Sequence, residues 1–187
     1  IEVALDDIAG DASPSAYIVK DNVISRAVAA IDSLTGRQVP RGINPLRPVG
    51  GSFKTEKQGD RIVLSPDNFK RYSDYVTTLQ KLDSSKLVDL YHRYYPLIQQ
   101  AWAANGGEGD FNQRLLVVID SLLQTPDVTG PVYLNKPEAV YVFADPQLEA
   151  LTAGQKILIR MGSANAAIVK NKLEALSRDL ADDESQP

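Results

Sequence analysis

DLYHRYYPLIQQAW, residues 89–102, contains the only histidine and the only tryptophan of the chain, together with three tyrosines and a proline. On a helix each residue advances about 100°. Leu87, Leu90, Tyr91, Tyr94, Leu97, Ile98, Ala101 and Trp102 then share one broad face, with His92 opposite, beside Ser85 and Gln99. The rings read as large core residues whose polar tips reach the rim. Pro96 has no N–H, and its ring crowds the carbonyl four residues back, that of His92. Tyr95, preceding proline, is pushed away from helical angles. A kinked or broken core helix is expected, its freed His92 carbonyl open to water, a side chain or a ligand.

Working outward, Asp83 or Ser84 caps this helix and Asn105-Gly106 stops it. Asp110 and Gln113 set a capping-box pattern ahead of Phe111, Leu115, Val118, Ile119 and Leu122. Ser65-Pro66 opens a helix with Phe69, Tyr72, Val76 and Leu79 on one face. Before it, SFKTEKQGDRIVLS (52–65) reads as a hairpin, 53–56 against 61–64, about a Lys-Gln-Gly-Asp turn. RQVPRGINPLRPVGG (37–51) has three prolines and three glycines and is an irregular crossing. Asp21 caps a helix carrying Ile24, Ala27, Val28, Ile31 and Leu34, stopped by Gly36. Toward the C-terminus, PVYLNKPEAVYVF (131–143) gives two short strands about a proline-containing turn, at least one at an edge. Asp145-Pro146 starts a short helix, and Thr152 with Gln155 opens another that ends at Gly162. Ser163 caps the last helix, with Ala166, Val169, Leu173, Leu176 and Leu180 as its stripe. These elements predict a mainly α (α+β) fold, a compact multi-helix domain with one or two short β-hairpins. It spans residues 17–181, between a flexible acidic lead-in (1–16) and a disordered acidic tail (182–187).

A chain of 187 residues, 43% hydrophobic and 24% charged, has the composition of an ordinary globular domain. It has no cysteine, which removes disulfides, thiolate nucleophiles and cysteine zinc sites together. No apolar run reaches about 18 residues, the length that would span a membrane. The first residue is isoleucine, read here as the start of a processed or cloned fragment, so a targeting or anchoring segment need not lie within it. Net charge is −4, but residues 37–81 hold nine Lys/Arg against four Asp/Glu. A pI near 5 argues against general nucleic-acid binding, while leaving room for a local anion site.

Few chemistries have the residues they need. A Ser-His-Asp triad would rest on His92 alone, with no G-x-S-x-G elbow. No H-E-x-x-H, calcium-loop or phosphate-loop motif occurs, so no metal and no cofactor is expected. The one enzymatic idea with a place is a carboxylate pair, Glu108 and Asp110 in NGGEGDFNQR (105–114), with His92 or Tyr95 nearby, acting on cell-wall glycan or peptide. The structural reading covers the same residues better: Gly106 or Gly107 stops one helix and Asp110 caps the next. Asn112 falls on an apolar face, so its amide either ties down a loop or lines a cleft. Gln155, Lys156, Arg160 and Asn165 read as solvated or capping groups. Arg37, Arg41, Arg47 and Arg61, with Lys54, form the candidate anion-binding region, suited to phosphate or carboxylate. Tyr95 and Asn112 complete the candidate binding residues.

The strings LTGRQVPRGINPLRPVGGSF, YSDYVTTLQKLDSSKLVDLYHRYYPLIQQAW, FNQRLLVVIDSLLQTPDV and VYVFADPQLEALTAGQKILIRMGSANAAIVKNKL together resemble a bacterial family described as domain of unknown function 3014, over roughly residues 19–176. The resemblance implies a Gram-negative envelope protein. It would have one N-terminal membrane-spanning helix, a proline-rich spacer and this domain facing the periplasm from the inner membrane. The family carries no activity to transfer. The expectation is a non-catalytic domain that binds a partner protein or an envelope polymer, with cell-wall hydrolysis or anionic lipid headgroup binding through residues 37–61 as alternatives.

Overall fold

The computed structural model describes residues 2–9, 12–40 and 42–183, with side chains for 4–9, 12–40 and 42–181. In chain order the elements are α1 (Glu2–Asp7), a 3-10 turn (Pro14–Tyr17), α2 (Val23–Ser33), β1 (Thr55–Gln58), β2 (Arg61–Leu64), α3 (Pro66–Lys70) and α4 (Ser73–Lys81). They continue with α5 (Ser84–Ala104), α6 (Phe111–Leu123), β3 (Tyr133–Asn135), β4 (Val142–Phe143), α7 (Pro146–Glu149), α8 (Ala153–Arg160) and α9 (Ser163–Asp183). This is a mainly helical α+β fold with one small antiparallel sheet.

The bundle is built on the two 21-residue helices. α5 packs on α2, α6 and α9, and α9 also packs on α4, α6 and α8. Asp83 caps α5 by accepting from the Lys86 N–H at 3.0 Å. The helix stops at Gly106 (φ +84°), where the Gly107 N–H donates to the Trp102 carbonyl at 2.9 Å. Gly107 lies so close to the indole that a Cβ there would sit 2.0 Å from Trp102 Cδ2. Two of the sequence expectations for α5 are corrected. The helix is unbroken at Pro96, with Val88 and Leu90 before the proline and Trp102 after it all buried in the bundle, which removes the broken form of the expectation and not the kinked one. Leu97 is 50% exposed: the apolar stripe is wider than the neighbouring helices cover.

The sheet runs in the order β1-β2-β3-β4. Its first hairpin is tighter than expected. Lys57 and Gln58 belong to β1, paired with Ile62 and Arg61, and the turn is only Gly59-Asp60, with Gly59 at φ +62° as a two-residue connection requires. One face of the sheet buries Leu64, Leu134 and Phe143 against Ile159 of α8. The adjacent Leu158 turns the other way, into the bundle with Val118, Leu122, Met161 and Ala166. α8 is therefore a wedge between two cores. Its start is fixed by the full Thr152–Gln155 capping box and by N–H groups of Ala153 and Gly154 donating to the carbonyls of Gly36 (2.7 Å) and Leu34 (2.9 Å).

Other differences have local causes. The helix expected from Ser65 divides into α3 and α4 at Arg71-Tyr72, because the amide of Asn68 anchors the first piece. Asn68 is 0% exposed. Its Oδ1 accepts from the Lys54 N–H (3.1 Å) and Arg71 (2.8 Å), and its Nδ2 donates to the Arg160 carbonyl at 2.9 Å. Asn22, in the left-handed region at φ 54°, precedes α2 in place of Asp21. α9 begins at Ser163 itself. The expected flexible lead-in carries α1 and the 3-10 turn, joined where the Asp6 carboxylate accepts from the Ser15 N–H (3.0 Å) and hydroxyl (2.6 Å). Of the expected tail, residues 184–187 lie outside the described residues, and α9 runs to Asp183.

Asn68→Ala leaves the Lys54 N–H and the Arg160 carbonyl without their partner, and should cost about 2–6 kcal/mol at about 1–3 kcal/mol per orphaned buried group. Urea unfolding measures it; a loss within error of zero would show that the amide does not hold the sheet to the bundle.

Candidate functional site

The structure draws some of the sequence candidates together and separates others. Asp110 caps α6, accepting from the N–H groups of Asn112 (2.7 Å) and Gln113 (3.2 Å). Tyr95 reaches over from α5 and donates to its second oxygen at 2.6 Å. Gln99, one turn along, donates to the Gly109 carbonyl (2.8 Å) and accepts from the Phe111 N–H (2.9 Å). Asn112, half-buried, accepts from the Tyr91 hydroxyl at 3.3 Å. These bonds hold the Asp110 carboxyl below the usual carboxylate range, the Tyr95 hydroxyl first and the α6 amides after it, against burial, which works the other way. Burial and then the Asp110 hydrogen bond push the Tyr95 phenol up to about 12. Neither group is poised near neutrality for proton transfer. The cluster locks the α5–α6 connection.

His92 and the Glu108 side chain are on the surface. His92 is exposed, its ring 5.6 Å from that of Tyr91. Glu108 is exposed and contributes its carbonyl, which accepts from the Trp102 indole at 3.2 Å. The basic candidates also scatter. Arg61 stacks over Tyr133 at 3.7 Å and donates to its hydroxyl. Arg37 and Arg47 are exposed on the irregular crossing, and Arg41 lies outside the described residues. The carbonyls of that crossing are met by arginines from elsewhere. Arg71 donates to those of Val49, Gly50 and Gly51, and Arg26 to that of Gly42.

Of the groups expected to be solvated or capping, Gln155 caps α8, while Lys156 is a correction. Lys156 is 7% exposed, its ammonium bonded to the carbonyl (3.1 Å) and carboxylate (2.9 Å) of Glu149. Gln155 is buried and also reaches the Ser121 carbonyl. Asn165 ties the carbonyls of Phe69 and Met161. Arg160 lies over the Phe143 ring at 4.9 Å.

What sequence reasoning missed is an apolar cavity of about 350 Å³ between the helices of the bundle, partly open to solvent. It is lined by Leu87, Leu90, Tyr94 and Ile98 of α5, Leu115, Val118 and Leu122 of α6, Leu173, Leu176 and Leu180 of α9, Ile31 of α2 and Leu5 of α1. The whole lining is aliphatic except for Tyr91 and Tyr94. The pocket is partly open to solvent, and apart from the two tyrosine hydroxyls its wall offers water no polar partner. None of His92, Glu108 and Asp110 lines this cavity. The only sequence signal was the half-buried breadth of the leucine stripes on α5, α6 and α9, which a helical wheel cannot distinguish from full packing.

The α5–α6 lock gives stability a signed pH dependence. The Asp110 contribution is complete above the unfolded aspartate range, near ~3.9, and is lost as pH falls through its depressed folded value. The Tyr95 contribution is complete below ~10 and is lost as pH rises toward its folded value near ~12. Tyr95→Phe should lower stability by about 1 kcal/mol at neutral pH and remove the most alkaline phenol from the ultraviolet titration of the eight tyrosines. An unchanged titration end-point in the variant would refute the assignment.

Among the described residues no helix is long and apolar enough to cross a membrane. No curated protein and no solved structure matches the chain. The family model described as Protein of unknown function (DUF3014) matches residues 23–177, from the first residue of α2 into α9, and so takes in α2, α5, α6 and most of α9, which carry nearly all of the cavity lining. The chain belongs to that family.

Proposed function

We propose that the chain is a non-catalytic binding domain of the bacterial cell envelope, periplasm-facing and membrane-anchored at full length, whose ligand presents an acyl chain to the bundle cavity. One observation carries this reading: a cavity between the bundle helices, open on one side, with an aliphatic lining. At liquid density, roughly 30 Å³ per water-sized group, it holds a chain of about a dozen methylenes. A partner helix is too thick. At about 10 Å across, it fills on the order of 420 Å³ per 5.4 Å turn. Of the ligands first expected, a protein or polymer partner fits here only through an attached acyl group. Glycan hydrolysis draws no support from the geometry, since Asp110 is occupied as a cap and the cavity has no carboxylate in its lining.

The energetics are adequate for a reversible ligand. Burying about a dozen methylenes gains ~10 kcal/mol at ~0.8 each, and association costs at least ~4 kcal/mol. The remainder of ~6 kcal/mol corresponds to a Kd of tens of micromolar. Displacement of a fluorescent polyene fatty acid by saturated acids of graded length tests this. Affinity should climb with each added methylene until the cavity is full and then level. Leu176→Trp, which projects an indole into the space, should weaken binding at least tenfold. Absence of saturable binding at every chain length would end the proposal.

A further inference from the structure

A second apolar cavity, about 310 Å³, lies between the 3-10 turn, α4 and the first half of α9, with Leu46, Tyr75, Thr78 and Val169 in its wall. Leu5 lines both cavities, the only described residue to do so. α1 thus stands as a partition, held by the Asp6–Ser15 bonds. Two opposite charges adjoin wall residues of the second cavity in sequence, Arg47 after Leu46 and Asp74 before Tyr75. Arg47, next to Leu46, has its carbonyl bonded by the Tyr75 hydroxyl at 2.9 Å, and Asp74 is the neighbour of Tyr75 in α4. Burial and the nearby Tyr17 push the Tyr75 phenol up; of the two charges, Arg47 opposes that shift and Asp74 adds to it, so both side chains act on one hydroxyl. Both are exposed, and neither side chain makes a hydrogen bond or ion pair among the described residues.

We infer that the two cavities form one site for a diacyl phospholipid whose head carries both a phosphate and an amine. One acyl chain lies on each side of Leu5, the phosphate meets Arg47 and the amine meets Asp74. This rests on the acyl-chain reading above and adds the second chain and the head. Leu5 stands where two chains leaving one glycerol would part. A guanidinium is suited to phosphate oxygens, and a carboxylate near the same phenol disfavours a head of net negative charge.

Native mass spectrometry and calorimetry with the whole chain separate the possibilities, using dilauroyl phosphatidylethanolamine, its single-chain lyso form, dilauroyl phosphatidylglycerol and lauric acid as probes. One phosphatidylethanolamine should bind per chain, at least tenfold tighter than the lyso form. Arg47→Glu should weaken it about tenfold, and Asp74→Lys should shift preference toward phosphatidylglycerol. Thr78→Trp, which fills the second cavity, should abolish the two-chain advantage while leaving lauric acid binding intact. Leu46→Trp, at a 44% exposed position, should do the same in a variant with little folding cost. Equal affinity for one-chain and two-chain lipids would overturn the inference while leaving the acyl-chain proposal standing. So would indifference of two-chain binding to both tryptophan variants. Failure of lauric acid and every lipid to bind would remove both.

Discussion

The amide of Asn68 is wholly inside the protein and has no route to water, so each of its hydrogen bonds must be made within the chain. It makes them to three different parts of the fold: the N–H of Lys54 leading into the sheet, the guanidinium of Arg71 beside the irregular crossing, and the carbonyl of Arg160 at the end of α8. A buried amide satisfied in this way fixes three segments in one geometry, because any slippage would leave a polar group stranded. The position of α8 follows from it. With its last residue held, α8 can turn Ile159 to the sheet and Leu158 to the bundle.

The wedge has a consequence for the helices around it. Gly154 lies so close to Leu122 and Leu34 that a Cβ would meet Leu122 Cδ2 at 2.5 Å, so the start of α8 occupies the space between α2 and α6. Lys156, with its ammonium bonded to Glu149, cannot be withdrawn to solvent without breaking a desolvated pair. α2, α6 and α9 are therefore held at separations set by α8 at one end, while the α5–α6 lock at Tyr95, Gln99 and Asp110 sets the other. Between them Val88, Ile119 and Leu180 still meet across α5, α6 and α9, and the cavity lies beside that contact.

Much of this was legible in the residues. Helix ends were, because caps are short-range chemistry: Asp83, Asp110 and Thr152 each serve the amides two or three positions on. The second strand of the hairpin and the long stripes of α5 and α9 were as well. What escaped reading depends on partners distant in sequence. Pro96 breaks a lone helix, yet packing on both sides of it outweighs its cost here. Lys156 looks like a surface residue until Glu149 is brought beside it. Asn68 sits in a polar-looking run, SPDNFK, and its burial comes from Arg160, 92 positions away. The cavity is the extreme case. A leucine facing a gap and a leucine facing a leucine give the same helical wheel.

The distribution of polar groups bears on what such a fold can do. Asp110, Gln99, Asn68, Gln155 and Asn165 all bind backbone at element ends, and the arginines Arg26, Arg71 and Arg114 satisfy loop or helix-end carbonyls. Side chains committed to backbone are positioned for stability and have little freedom to exchange protons or bind a substrate. The bundle cavity, by contrast, has a lining that makes few commitments. Its free energy is unspent apolar surface, which is non-directional and scales with the length of chain buried. A pocket of this kind would discriminate by shape and length in its interior, and on the two-chain reading charge enters only at the second cavity, beside Tyr75. α1 belongs to the same logic. It adds one leucine to the wall of each cavity and is tied by the Asp6 carboxylate to Ser15, so on the acyl-chain reading it is the element a longer chain would have to displace.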